Sequence, residues 1–280
     1  PILVFPLFGG IFYLLYRRRN IGKKVLNRHF QIKSDREKNV KHIDFIYQTK
    51  DLNYLSRNFW PHYSKTKTEF LDSGEVLFEN LLNDLKQAKS FIFMEFFIIK
   101  KGTMWTQILD VLKEKAKQGV EIKLIYDDFG SSTLPYHYTQ TLNSYGIQAV
   151  NFNPMRIHLN FAMNYRDHRK IVVVDGKIAY TGGINIGDEY INIEHPYGKW
   201  QDAGIKLEGD AVWSLIIGFL ENWRFTTAEQ IDYTKYQVNY KVEDKGFVAP
   251  LIDTPLDQET TSKYLYLSLI SQAQESISIT

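Results

Sequence analysis

The chain has 280 residues, 44% of them hydrophobic and 24% charged, which is too apolar for disorder and enough for one large domain or two small ones. It contains no cysteine, which excludes disulfide scaffolds, Cys-based zinc sites and thiol nucleophiles and fits a reducing compartment. The net charge is +2, but seven basic residues and no acidic one lie between Arg17 and Lys33, leaving 27 of the 34 basic residues against 32 acidic ones, a balance of −5. A mildly acidic body argues against a surface built to wrap nucleic acid.

Residues 1–16, PILVFPLFGGIFYLLY, carry no charge. As a helix they would span roughly 24 Å, short of the ~30 Å hydrocarbon core. The chain opens on Pro1, so an upstream part of this segment is expected. Tyr13 and Tyr16 stand near the end of the run, and Arg17-Arg18-Arg19 follow it. That order suits the cytoplasmic end of a membrane helix. A signal peptide would carry its charges before the apolar run, and a buried core helix gives no reason for a triple Arg. Residues 1–19 are therefore expected to be a membrane segment, with the rest on the cytoplasmic side of the cell membrane. Residues 20–68, polar and spotted with aromatics, read as a basic juxtamembrane connector.

From Gly74 the pattern sharpens. Leu77, Leu81, Leu82 and Leu85 are spaced for one face of a helix. Phe91 to Ile99, FIFMEFFII, reads as a buried strand interrupted by one carboxylate, Glu95. Trp105 to Gln118 forms a second amphipathic helix, with Gly119 as its stop. Val120 to Tyr126 is the next strand and runs into the loop Asp127-Asp128-Phe129-Gly130. A short helix over Tyr138 to Tyr145 and a strand over Ile147 to Phe152 follow. This alternation predicts an α/β sandwich with much of its sheet parallel.

Residues 164–190 read NYRDHRKIVVVDGKIAYTGGINIGDEY. His168 and Lys170 sit two apart at the start of the β-branched run Ile171 to Val174, so imidazole and ammonium share a face of the strand. Asp175-Gly176 signals a tight hairpin. Gly182-Gly183 removes two side chains, which lets backbone approach a ligand. The Asn185 amide can donate to an oxyanion. Imidazole, ammonium, exposed backbone and amide together suit a tetrahedral phosphate. Alone, such a His reads as a polar cap, a Gly-Gly as a turn, and Asp175 as a turn residue; it is the joint pattern His-x-Lys-x4-Asp-x6-Gly-Gly-x-Asn that carries specificity.

The segment His168 to Tyr190 resembles the His-Lys-Asp motif of the phospholipase D superfamily, and its wording resembles the bacterial cardiolipin synthases. Glu95 in FMEFFI, Tyr126-Asp127-Asp128-Phe129-Gly130-Ser131, and Trp200-Gln201-Asp202 before Leu207-Glu208-Gly209 agree with that family, as does the apolar terminal segment with its basic flank. The resemblance implies a phospholipase D-like α/β fold, a mixed sheet flanked by helices and preceded by a membrane segment. It also implies a phosphatidyl transferase that turns two phosphatidylglycerols into cardiolipin and glycerol. One phosphodiester replaces another, so no cofactor, metal or nucleotide is expected, and no G-x-x-x-x-G-K-[ST] loop is present. In the implied mechanism one His attacks phosphorus to form a phosphohistidine. A second His protonates the leaving glycerol oxygen and then deprotonates the acceptor. The implied catalytic set is His168, favoured as nucleophile, with Lys170 and Asp175; Lys170, Asn185 and Gly183 would bind phosphate. Asp202 is a candidate to fix the His168 tautomer, and Glu189 competes for that role.

The superfamily builds its site from two such motifs, and only one is present here. Leu265 to Ile279 echoes Leu81 to Phe93, with Gln87 to Phe91 matched by Gln272 to Ile277 and one extra residue. The expected organisation is therefore a first phospholipase D-like domain over 69–229, a linker over 230–262 and the start of a second, repeated lobe over 263–280. Partners would be phosphatidylglycerol, anionic membrane lipid and a second motif, either in the same full-length chain or in a homodimer. The alternatives are another phosphodiesterase of the superfamily, a phospholipase or nuclease, or a non-catalytic membrane-anchored half-domain. A nuclease would need a Lys and Arg surplus outside the connector.

Overall fold

The structure is a computed structural model that describes Gly10 and residues 23–40, 60–154, 166–240, 242–254, 256–257 and 260–278. Apart from Gly10, the expected membrane segment 1–19 lies outside the described residues. Among the described residues no helix is long and apolar enough to cross a membrane.

The elements are α1 (Lys23–Val40), β1 (Thr66–Leu71), α2 (Gly74–Gln87), β2 (Phe91–Phe96), α3 (Thr103–Lys117), β3 (Glu121–Asp127) and α4 (Tyr138–Ser144). They continue with β4 (Gln148–Phe152), β5 (Lys170–Val174), β6 (Ile178–Gly182), β7 (Gly204–Gly209), α5 (Val212–Thr227) and α6 (Thr261–Gln272). Local chemistry sets the boundaries. The Val76 N–H donates to the Ser73 hydroxyl at 3.4 Å, capping α2. Gly119 takes φ +86° just past α3. Asp175 and Gly176, at φ +52° and +67°, turn β5 into β6.

The seven strands lie in the order β1-β7-β6-β5-β2-β3-β4. Only β2–β3 and β3–β4 pair in parallel, through the crossovers α3 and α4. The other four pairings are antiparallel. The sheet is mixed, as the resemblance implies; the expectation that much of it is parallel is corrected to β2, β3 and β4, because the β5–β6 hairpin and β7 return antiparallel. Side chains alternate between two cores. Ile92, Met94 and Phe96 of β2 pack with Val172 and Val174 of β5 under α2, α3 and α4. Phe91, Phe93, Ile171 and Val173 pack on the other face under α5.

The basic connector is more than a spacer. Its α1 lies on α5, joined by a two-point ion pair of Arg36 with Glu221, 2.6 Å in each arm. Trp60 and Tyr63 are buried in the α5-side core, before β1 begins. From the expected linker, Tyr233, Tyr236 and Ile252 enter that same core. Tyr63 and Val248 exchange two backbone hydrogen bonds of 2.8 Å. The loops after β2, β3 and β6 and the start of β5 converge at one end of the sheet, the end where the carboxyl termini of parallel strands commonly leave a crevice for ligands.

Candidate active site

Lys170 opens β5 opposite Phe96 of β2. Its ammonium is buried, lies 3.1 Å from Nδ1 of His168 and donates to the His168 carbonyl at 2.8 Å. The exposed His168 ring leans on Phe97, centroid to centroid 4.8 Å at 46°. Burial pushes the Lys170 ammonium down to about 8, against a partial pull back from Asp167 and Asp202. Desolvation, then the Lys170 charge, hold His168 below the usual imidazole value. The result is a neutral imidazole at neutral pH beside a cation held in a site that disfavours its charge.

Asn185 is 3% exposed, and its amide is partly committed. Its carbonyl oxygen accepts from the Ile98 N–H at 3.1 Å and its Nδ2 donates to the Tyr190 hydroxyl at 2.9 Å. One further N–H of the carboxamide remains for an oxyanion.

The other expected residues stand elsewhere. Asp175 caps the far end of β5, where its carboxylate accepts from the N–H groups of Lys89, Ser90 and Phe91 at 2.8, 2.7 and 3.0 Å. This is structural pinning of the start of β2, and the side chain is a strand's length from the imidazole. Gly183, expected to bind phosphate, is held by its neighbours. Its N–H is spent on the Ala203 carbonyl at 3.1 Å, and a Cβ there would stand 2.1 Å from the Asp202 carboxylate. The glycine makes room for a neighbouring strand end. Asp202 accepts from Trp200 Nε1 at 3.3 Å and Ala203 N–H at 2.8 Å, and acts on Lys170 through its charge rather than on His168 by a hydrogen bond. Glu189 is ion-paired with Lys100.

Sequence reasoning missed the residues that flank His168. Asp167 and Arg169 turn to the α5 side of the sheet, where Glu95 and Asn222 meet them. Glu95 was legible only as a landmark and Asn222 gave no signal, because α5 is buried nearly all round and lacks a one-face period. Asp127 was visible as a loop opener. Its carboxylate accepts from Phe129, Gly130 and Asp167 N–H groups at 2.9, 3.0 and 3.1 Å, which ties the β3 loop to the residue before His168.

Residues 81–196 match the family model described as cardiolipin synthase, phospholipase D-like domain. An uncharacterised protein of Streptococcus mutans is 35% identical over 99% of this chain and 63% of its own length. Cardiolipin synthase 2 of Bacillus cereus is 36% identical over 98% of this chain and 56% of its own length. Among solved structures, NucT from Helicobacter pylori aligns with a TM-score of 0.44 at 12% identity, covering 57% of this chain and 96% of that one. Residues 81–196 thus resemble the phospholipase D-like domain of cardiolipin synthases. Over nearly its whole length the chain is similar to bacterial cardiolipin synthases, and it spans little more than half the length of the curated relatives it matches.

Proposed function

We propose that this chain is part of a phosphatidyl transferase that makes cardiolipin and glycerol from two phosphatidylglycerols. The observation that carries the reading is the exposed, neutral His168 beside the buried Lys170 ammonium, inside the segment matched to the cardiolipin synthase domain. His168 attacks phosphorus and a phosphohistidine bond forms as the bond to the glycerol oxygen breaks. The leaving oxygen takes a proton from a second imidazole. A glycerol hydroxyl of the next phosphatidylglycerol then returns that proton as it attacks, releasing His168 and cardiolipin. A phosphate oxygen is a stronger acceptor for the Lys170 ammonium than a ring nitrogen, so substrate draws the ammonium off the imidazole and leaves the ring free to attack. Asn185 donates its remaining N–H to the same phosphate.

In-line displacement puts attack and departure on opposite sides of phosphorus, so His168 cannot also protonate the leaving oxygen. A second lobe of the full-length polypeptide is the proposed source of the second imidazole. The exposed apolar side chains of α6 support this: Tyr266, Leu267 and Leu269 are 69%, 57% and 55% exposed, which is surface suited to a further packed layer. The site is proposed to work at the cytoplasmic face of the cell membrane, anchored by the segment 1–19 and its basic flank.

Labelled phosphatidylglycerol tests the reading. The full-length protein should form cardiolipin and glycerol in equal amounts, with label trapped on His168 in an acid quench. Hydrolysis to phosphatidic acid alone, or cleavage of DNA instead of lipid, would replace it with the phospholipase or nuclease alternative. The 280-residue chain should be inactive at every concentration, and activity that rises with its dimerisation would favour a homodimer.

A further inference from the structure

The imidazole's two neighbours in the chain are tied down on the other side of the sheet from it. His168 and Lys170 point one way, and Asp167 and Arg169 point the other. On that side the Asn222 amide, carried by α5, spans two carboxyls, 3.0 Å from Glu95 Oε1 and 2.8 Å from Asp167 Oδ2. Arg169 reaches the same Glu95 oxygen with NH1 at 3.3 Å, and its backbone N–H donates to Asp167 Oδ1, also at 3.3 Å. The Asp167 N–H donates to Asp127 at 3.1 Å. Residues 166–169 belong to no strand, so these bonds and not a sheet ladder hold His168 in place.

Glu95 is the centre of this network and is fully buried. Its Oε2 is enclosed and accepts no hydrogen bond. An ionised carboxylate would leave that oxygen unsatisfied, at the cost of a buried unpaired acceptor. Burial, then the neighbouring Asp167 charge, push its carboxyl well above the usual range. Among the described residues, Arg36 from α1 and Glu221 from α5 also act on Arg169 but pair with each other at 2.6 Å, while Arg169 lies 3.3 Å from Glu95 and 3.9 Å from Asp167.

We propose that Glu95 and Asn222 are positioning residues for His168, acting through Asp167 and Arg169 to fix where the imidazole stands relative to Lys170 and the phosphate. This rests on the reading of His168 as nucleophile. Both residues lie on the far side of the sheet and touch no reacting atom. Glu95 Oε1 accepts from both Asn222 and Arg169. A glutamine keeps an accepting oxygen at the same length and carries no charge.

The test uses the full-length protein in detergent, with 15N-labelled histidine and the His168 signal assigned through His168→Gln. Glu95→Gln should keep kcat within about twofold and leave the His168 ring signals and their pH titration unchanged. Glu95→Ala and Asn222→Ala should each lower kcat by about 100-fold, the scale of a small misplacement of a reacting group, with KM nearly constant. Both should shift or split the His168 signals while circular dichroism stays native. Wild-type His168 signals in the folded alanine variants would overturn the proposal. So would a Glu95→Gln protein as perturbed as Glu95→Ala, since that would make the charge and not the geometry essential. If Glu95→Ala does not fold, Asn222→Ala decides alone. The ring signals report even if phosphatidylglycerol proves not to be the substrate, so that failure and failure of the positioning role are read separately.

Discussion

At the Lys170 end of β5 a buried ammonium has, among the described residues, the His168 ring nitrogens and one carbonyl as its hydrogen-bond partners. At the Asp175 end, five residues on, a carboxylate accepts three backbone N–H groups. The first end keeps a cation where burial opposes its charge, and so leaves it hungry for an anion. The second end leaves nothing to be gained by a ligand. On the proposed function, three letters of one motif therefore divide into two jobs: His168 and Lys170 serve the chemistry, and Asp175 locks the hairpin onto the start of β2. Spacing alone cannot separate those jobs, because both need a polar residue at a strand end.

The comparison breaks most visibly at His168. His168→Ala should reduce cardiolipin formation by at least about four orders of magnitude, as expected when a covalent catalyst is removed. The ring is exposed and its packing partner is one face of Phe97, so the melting temperature should stay within roughly 2 °C. Product assays beside thermal unfolding check both halves.

Lys170→Met should cost roughly 1,000-fold in kcat/KM, the scale of losing one aimed charge on a developing oxyanion. It should also make the protein more stable at pH 7. The ammonium's folded value of about 8 lies below the unfolded value of 10.5, so the unfolded chain binds more protons between the two. The resulting destabilisation is fully present below pH 8 and fades as pH rises toward 10.5. Methionine removes it, and the melting temperature should rise by a few degrees at pH 7 while the difference shrinks by pH 10. A lower melting temperature for the variant at pH 7 would contradict the strained-cation picture.

Part of the candidate site was legible in the sequence, and the limits of that reading are physical. His168, Lys170 and Asn185 stand out because the proposed chemistry needs fixed residue types at fixed strand spacing. The Leu77, Leu81, Leu82 and Leu85 stripe gave α2 because only one face is buried. By contrast α5 is buried from Ser214 through Arg224, so no polar stripe marks its period, and Asn222 hides within it. Glycines misled for a related reason. Gly182 and Gly183 are small because Ala203, Gly204 and Asp202 press against them, and a sequence does not say which neighbour claims the space. Strand direction was misjudged because β-strand patterns look alike in parallel and antiparallel pairs, and only the closure of β5 by a two-residue turn pointed to the antiparallel half.

The two titrations at the active end set a pH window. Below its lowered value the imidazole is protonated and cannot attack. Above about pH 8 the free enzyme loses the Lys170 charge. The kcat/KM profile should therefore be flat around neutrality and fall about tenfold per pH unit above 8, because this ratio reports groups of the free enzyme. A descending limb near 10.5 would mean that Lys170 titrates as a solvated lysine. Asp175→Asn should leave the profile unmoved, since that end takes no part.

Asp175 carries the smallest expected effect on activity and the sharpest test of the division of labour. Its backbone sits at φ +52°, a region that Asn and Asp tolerate better than other side chains. Asp175→Asn keeps that tolerance and one accepting oxygen, which can serve Ser90 and Phe91. It turns an amide donor toward the Lys89 N–H, where the present carboxylate oxygen accepts. Lys89 lies at the surface, so water covers much of that loss, and the variant should lose about 1 kcal/mol. Asp175→Ala removes all three hydrogen bonds and adds a strained backbone, for about 2–3 kcal/mol. Denaturant unfolding measures both. Transfer activity per folded molecule should stay within about threefold of the parent in each. A loss of several orders of magnitude in a folded Asp175→Asn protein would make the third motif residue a participant in the reaction, and would erase the distinction between the two ends of β5.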